Sequence, residues 1–193
     1  LNVIRETLIG MGLLEIVNFD LISRKIQNMA ILATETDNAG YNKNNILIVE
    51  ETKSIEHEIL RSSLVPSLLY CLSHNVHEEY PQKLFEIGKV FKPNNSQDIN
   101  EYWCTGGVLA HNGANFTAIK AAVQTLLATS FGKIISTKPF TNSAFINGRC
   151  GAILLDDKPI GMMGEISPVV IENFRIRMPV SCFEINLSKI LGI

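Results

Sequence analysis

The chain has 193 residues, 46% of them hydrophobic, enough for one large domain with a sizeable core. Seventeen basic residues against nineteen acidic ones leave a formal net charge of -2, so no overall field favours a polyanion and only a local basic patch would serve one. The longest apolar runs fall well short of the roughly 20 residues that cross a bilayer, and nothing resembles a signal peptide, which predicts a soluble cytoplasmic protein with no membrane partner.

A helical pattern is already under way at Leu1, which predicts a fragment of a longer protein, with residues 1–193 forming a single domain. Leu1, Ile4, Leu8 and Met11 share one helix face, and Gly12 supplies a stop. Residues 14–21 alternate apolar with polar and predict a strand; a short helix follows over about 23–32. Residues 36–45 are polar and predict an exposed loop, and 46–49 a short strand.

The best-marked unit is 59–91. Leu64, Val65, Leu68, Leu69, Leu72 and Val76 recur at the spacing of one helix face, predicting a helix from Ser62 to about His77, capped by Ser62 or Ser63 and with Pro66 near its first turn. After a break at Tyr80 and Pro81, residues 84–91 predict a strand with Phe85, Ile87 and Phe91 on one face and Leu84, Glu86, Gly88 and Val90 on the other. A glutamate in mid-strand needs a wet face or a cationic partner.

Residues 102–111 predict another strand, bulged at Gly106 and Gly107. Ile119, Ala122, Val123, Leu126 and Leu127 mark a third helix, capped by Asn115 or Thr117. The tail is β-rich: strands over 134–140, 150–155 and 160–166, a turn at 156–159, a short helix opened by Ser167 and Pro168, and a last strand over 180–187. Strands outnumber helices and several connections are too short for a parallel crossover. The predicted class is α+β, a mainly antiparallel sheet flanked by helices.

Chemistry is sparse. Cys71, Cys104, Cys150 and Cys182 are scattered and predict buried thiols rather than a zinc site or disulfides. His74, His77 and Glu78 lack the H-E-x-x-H order of a zinc helix and read as a polar helix end. A Glu-Ile pair recurs at Glu15, Glu86, Glu165 and Glu184; were the strands adjacent, several carboxylates would share one sheet face, either as acid, base or metal ligands or as an ion-paired face with Arg61 and Arg149 as candidate partners. No phosphate loop or nucleophile elbow is present, and Arg175 with Arg177 is the one close arginine pair.

The strings HEILRSSLVPSLL, LFEIGKVF, FTAIKAAVQTLL, FINGRCGAILLDDKPIGMMGEISPVVIENF and MPVSCFEINL, in that order, resemble the C-terminal region of phenylalanyl-tRNA synthetase beta subunits. The likeness covers nearly the whole chain, and the end at Ile193 is more like archaeal and eukaryotic beta chains than bacterial ones. It implies a class II aminoacyl-tRNA synthetase-like fold that has lost its active site: Leu84 stands where the Arg-x-Glu signature has arginine, and no Gly-rich segment ending in arginine follows residues 183–187. It implies no catalytic, cofactor or metal residue in this chain, with ATP and Mg2+ belonging to the holoenzyme. The implied partners are a catalytic alpha subunit in an alpha2beta2 assembly and, through it, tRNA(Phe). Arg61, Glu86 and Gly88 then lie on a vestigial-site face, and the Leu1, Ile4, Leu8, Met11 stripe resembles a subunit-interface helix. The alternatives are a self-sufficient adenylating or metal-dependent enzyme and a small-molecule sensor with a vestigial pocket.

Overall fold

The computed structural model describes residues 1–30, 46–50, 54–94 and 98–193; the expected loop at 36–45 lies outside them. Helix α1 (Asn2–Gly10) buries Ile4 and Leu8 and ends where Gly12 takes a φ of +80°. Two short strands follow, β1 (Leu14–Glu15) and β2 (Leu21–Ile22), then α2 (Arg24–Ala30), β3 (Leu47–Ile48), a single 3-10 turn (Ile55–His57) and β4 (Ile59–Leu60). Helix α3 (Val65–His74) leads to the long hairpin of β5 (Gln82–Pro93) and β6 (Ile99–Ala110). The remainder is α4 (Phe116–Phe131), β7 (Ser136–Pro139), β8 (Phe145–Leu155), β9 (Lys158–Ile166), α5 (Pro168–Asn173), β10 (Val180–Asn186) and α6 (Leu187–Leu191).

Seven strands form one sheet in the order β1-β5-β6-β10-β9-β8-β7, and β2-β4-β3 form a small second sheet. Every neighbouring pair of the large sheet is antiparallel except β1 with β5. The α+β reading therefore holds, with one parallel pair at the edge. The hairpin turn between β8 and β9 sets both Asp156 and Asp157 at positive φ, the twist that suits a two-residue connection.

Strand alternation splits the core into two layers. On what we call the back face, Phe85, Phe183 and Ile185 pack with Ile4 and Leu8 of α1 and with Ile119, Val123 and Leu126 of α4. On the front face, Leu84, Val90, Val108 and Cys182 pack with Leu64, Leu68, Leu69 and Leu72 of α3 and with Phe174. Burial of such side chains contributes about 1.5–3 kcal/mol each. Helix α4 is closed at both ends by local signals: the Asn115 side chain accepts from the Ala118 amide at 2.9 Å, and Gly132 caps it in the left-handed region.

Four local expectations need correction. The predicted strand over 14–21 divides into β1 and β2, which belong to different sheets, because Asn18 and Asp20 leave the ladder to meet buried charges. Leu64, not Ser62 or Ser63, holds the N-cap position of α3; the Ser63 hydroxyl still accepts from the Val65 amide at 3.2 Å, and a carboxylate from β10 takes the Leu64 amide. Gly106 and Gly107 make no bulge, and their register with β5 and β10 is continuous. They are glycine because space is short: a Cβ at 106 would lie 3.0 Å from Leu68 Cδ1, and one at 107 would strike the Phe183 ring. Finally, α6 follows β10 unpredicted, its start marked by Asn186, whose side chain accepts from the Lys189 amide at 3.0 Å. Among the described residues no helix is long and apolar enough to cross a membrane.

Candidate functional site

Glu86 and Glu184 both pair with Gly106, one from β5 and the other from β10. The two carboxylates thus stand on the front face in one row, separated by a glycine and by about 9–10 Å of sheet. The segment that precedes α3 lies across this row and serves both.

Arg61 is a fully buried cation. Its Nη1 donates to Glu86 Oε1 at 2.6 Å, Nη2 to Asp20 Oδ1 at 2.9 Å and Nε to the Lys89 carbonyl at 2.9 Å. Glu86, equally buried, accepts further from the Asn18 side chain at 2.7 Å and the Asn18 amide at 3.2 Å. Gly88 completes the arrangement, since a Cβ there would collide with Arg61 Nη2. The three residues singled out from the sequence are therefore in mutual contact. Burying a charge is tolerable only when it is paired and its hydrogen bonds are met, and this cluster meets them within the chain.

Glu184 is satisfied differently. Its Oε2 accepts from the Ser63 hydroxyl and from the Leu64 amide, both at 2.7 Å, so a partly buried carboxylate from the last strand caps the first turn of α3. Packing around it raises its carboxyl above the ordinary range, against the pull of the Ser63 and Leu64 donors. The recurring Glu-Ile pair flags this residue; its role as a helix cap depends on an approach the local sequence does not encode.

The other two glutamates of that pattern face the back. Glu15 accepts from Arg5 Nε at 2.7 and 2.8 Å. Glu165 pairs with Arg149 at 2.7 Å and accepts from the Phe116 amide, at the start of α4, at 2.9 Å. The four carboxylates so divide two and two, and Arg61 and Arg149 are indeed partners. His74 donates through Nδ1 to the Tyr70 carbonyl at 2.9 Å, at the end of α3. Among the described residues no three of His, Cys, Asp or Glu gather to hold a metal. All four cysteines are free; burial pushes the Cys150 thiol up to about 12 and raises those of Cys104 and Cys182 as well.

The front face is filled. Leu64 and Leu68 press on Gly106, Leu84 is buried in the layer beside them, and the cavity left beneath α3, lined by Gln27, Ser63, Val65 and Met162 among others, measures about 50 Å³. Where β10 passes into α6 the cation is Lys189, whose Nζ donates to the Pro159 carbonyl at 2.8 Å. On the opposite side, the α1 stripe divides: Ile4 and Leu8 are inside, Leu1 is exposed and Met11 half-buried at its rim, and Val3 and Ile9 stand out beside them.

Residues 1–187 match the family model described as the phenylalanyl tRNA synthetase beta chain CLM domain. The chain belongs to this family. It is 34% identical over 196 residues to the phenylalanine–tRNA ligase beta subunit of Methanocella arvoryzae, covering 98% of this chain and 34% of the relative. It is 38% identical over 188 residues to that of Methanocaldococcus jannaschii, covering 96% and 32%. The chain thus spans about a third of the length of the curated relatives it matches. Its fold is shared with pyrrolysyl-tRNA synthetase from Desulfitobacterium hafniense, at a TM-score of 0.76 and 15% identity over 98% of this chain and 66% of that one. A class II synthetase fold on a beta-chain domain is the architecture that the resemblance implied.

Proposed function

We propose that this domain is a non-catalytic, single-unit module of a phenylalanine–tRNA ligase beta subunit. It supports assembly with a catalytic alpha subunit as alpha2beta2, which charges tRNA(Phe) using ATP and Mg2+ held by alpha. The observation that carries the reading is the occupied front face. In the class II pattern an arginine two residues before the motif glutamate meets ATP; here Leu84 is packed into the core at that place, and Glu86 is tied to Arg61 and Asn18. The cavity between α3 and the sheet is about 50 Å³, against the several hundred that a nucleotide site requires. If alpha's own ATP site is inactivated in the complex, we expect ATP–pyrophosphate exchange to vanish; exchange persisting in the beta chain would overturn the reading.

Assembly is assigned to the α1 side. Leu1 and Met11 at the rim of the stripe, together with exposed Val3 and Ile9 and with Leu14 on edge strand β1, offer an apolar surface for alpha, while Ile4 and Leu8 fix the helix to its own sheet. We expect Val3→Asp with Met11→Asp to abolish co-elution with alpha on size exclusion while leaving the circular dichroism of the chain unchanged. Undiminished co-elution would move the interface elsewhere.

A further inference from the structure

Outside α3, on the helix side that Leu68 and Leu72 do not use, lies a cleft of about 790 Å³ between β2, α2, the turn at Ile55–His57, α3 and the end of α5. We propose that this cleft binds a nucleotide, its base against Phe19 and its phosphate held by Lys25 and Arg175.

Phe19 is the first observation. It is 75% exposed, an unfavourable setting for an aromatic ring, and it has no freedom to withdraw. Its neighbour Asn18 donates twice to Glu86, and its other neighbour Asp20 accepts from Arg61, so both flanks are anchored to the buried ion pair. The ring rests edge-on against His57, with centroids 5.3 Å apart and an interplanar angle of 73°. A ring fixed in this way on the wall of a cleft presents a π-surface on which a base can stack.

The hydrogen-bonding groups supply the second observation. His57 Nδ1 lies 3.2 Å from the Leu21 carbonyl and His74 Nδ1 2.9 Å from the Tyr70 carbonyl. A carbonyl only accepts, so in the neutral ring each Nδ1 carries the proton and each Nε2 is an acceptor, matching the exocyclic amine of adenine or cytosine. On α3, Ser67 also lines the cleft, and its buried hydroxyl has no partner among the described residues. Such a group is costly to leave unmet.

Charge is the third. Lys25 and Arg175 are both exposed, and neither takes part in an ion pair among the described residues. Arg175 is held at a φ of 55° just after α5, where its amide donates to the Glu172 carbonyl at 2.9 Å. This is a helix-ending position that glycine fills at less cost. An arginine kept in that unfavourable conformation, on the same cleft as a second exposed cation, suits a phosphate.

The test is photo-crosslinking on the purified complex that contains this chain, with adducts mapped by peptide mass spectrometry. One probe is 8-azidoadenosine 5′-monophosphate and the other a single-stranded RNA tetranucleotide carrying 4-thiouridine. We expect label on the peptides that bear Phe19 or Tyr70. Label from the mononucleotide assigns a free nucleotide to the cleft; label from the RNA alone assigns one residue of a strand. Arg175→Gly relaxes the backbone while removing the cation, and exposed Phe19→Ser removes the stacking surface; each should cut this labelling about ten-fold, the scale of one charged contact. Labelling elsewhere in the complex is the internal control. Absence of label on these peptides with both probes, or equal label in Arg175→Gly, overturns the proposal.

Discussion

Both faces of the central sheet are covered by helices but hold them by different physics. Behind the sheet, α1 and α4 meet Phe85, Phe183 and Ile185 through apolar side chains, and the polar pairs Arg5–Glu15 and Arg149–Glu165 lie at its margins. In front, α3 is seated over a row that contains a fully buried arginine and two carboxylates. The back is held by apolar packing; the front is a set of discrete bonds, each of which specifies where one residue must go.

That contrast can be broken most severely at Arg61. Arg61→Met strands the Glu86 carboxylate in the interior, and we expect a loss of about 4 kcal/mol in urea unfolding. Adding Glu86→Gln removes the charge while leaving an acceptor for Asn18, and should restore more than half of the loss. Failure to restore would mean that the pair matters through shape and not charge. At the back, Leu8→Ala opens a cavity and should cost about 3 kcal/mol, with no dependence on salt and no partner able to rescue it.

A smaller effect is expected where the front row is tightest. Gly106→Ala must displace Leu68 and Leu64 by a few tenths of an ångström, for about 1–2 kcal/mol. The mildest probe is Glu184→Gln. The Glu184 carboxyl is raised in the fold, so the native state holds its proton to higher pH than the unfolded chain does. Its contribution to stability therefore falls as pH rises from the ordinary value near 4.5 up to the raised one, and stays low above it. We expect Glu184→Gln to flatten that part of the pH–stability curve measured by urea unfolding. An unchanged slope would assign the pH dependence to other carboxylates.

The elements driven by local pattern were legible in the sequence: the stripes of α1, α3 and α4, the Asn115 cap, the alternation of β5 and the demand of Glu86 for a cation. What could not be read depends on a distant segment. Leu64 is capped from 120 residues away, the two glycines at 106 and 107 answer to Leu68 and Phe183 on opposite faces, and the strand expected over 14–21 ends early because its polar residues are claimed by the buried pair. Phe19 escaped notice because a single aromatic in an alternating stretch reads as a core residue; only the structure places it at the cleft wall.

The position of β10 carries a consequence for how the domain comes into being. It is the last strand in the chain, yet it lies in the middle of the sheet, between β6 and β9, which do not pair with each other. Until residues 180–186 are synthesised, no ladder can join β1, β5 and β6 to β7, β8 and β9. The same strand delivers the cap of α3. The edges of β6 and β9 that face each other are thus both sealed by the one strand made last, a long-range closure of the kind that slows folding.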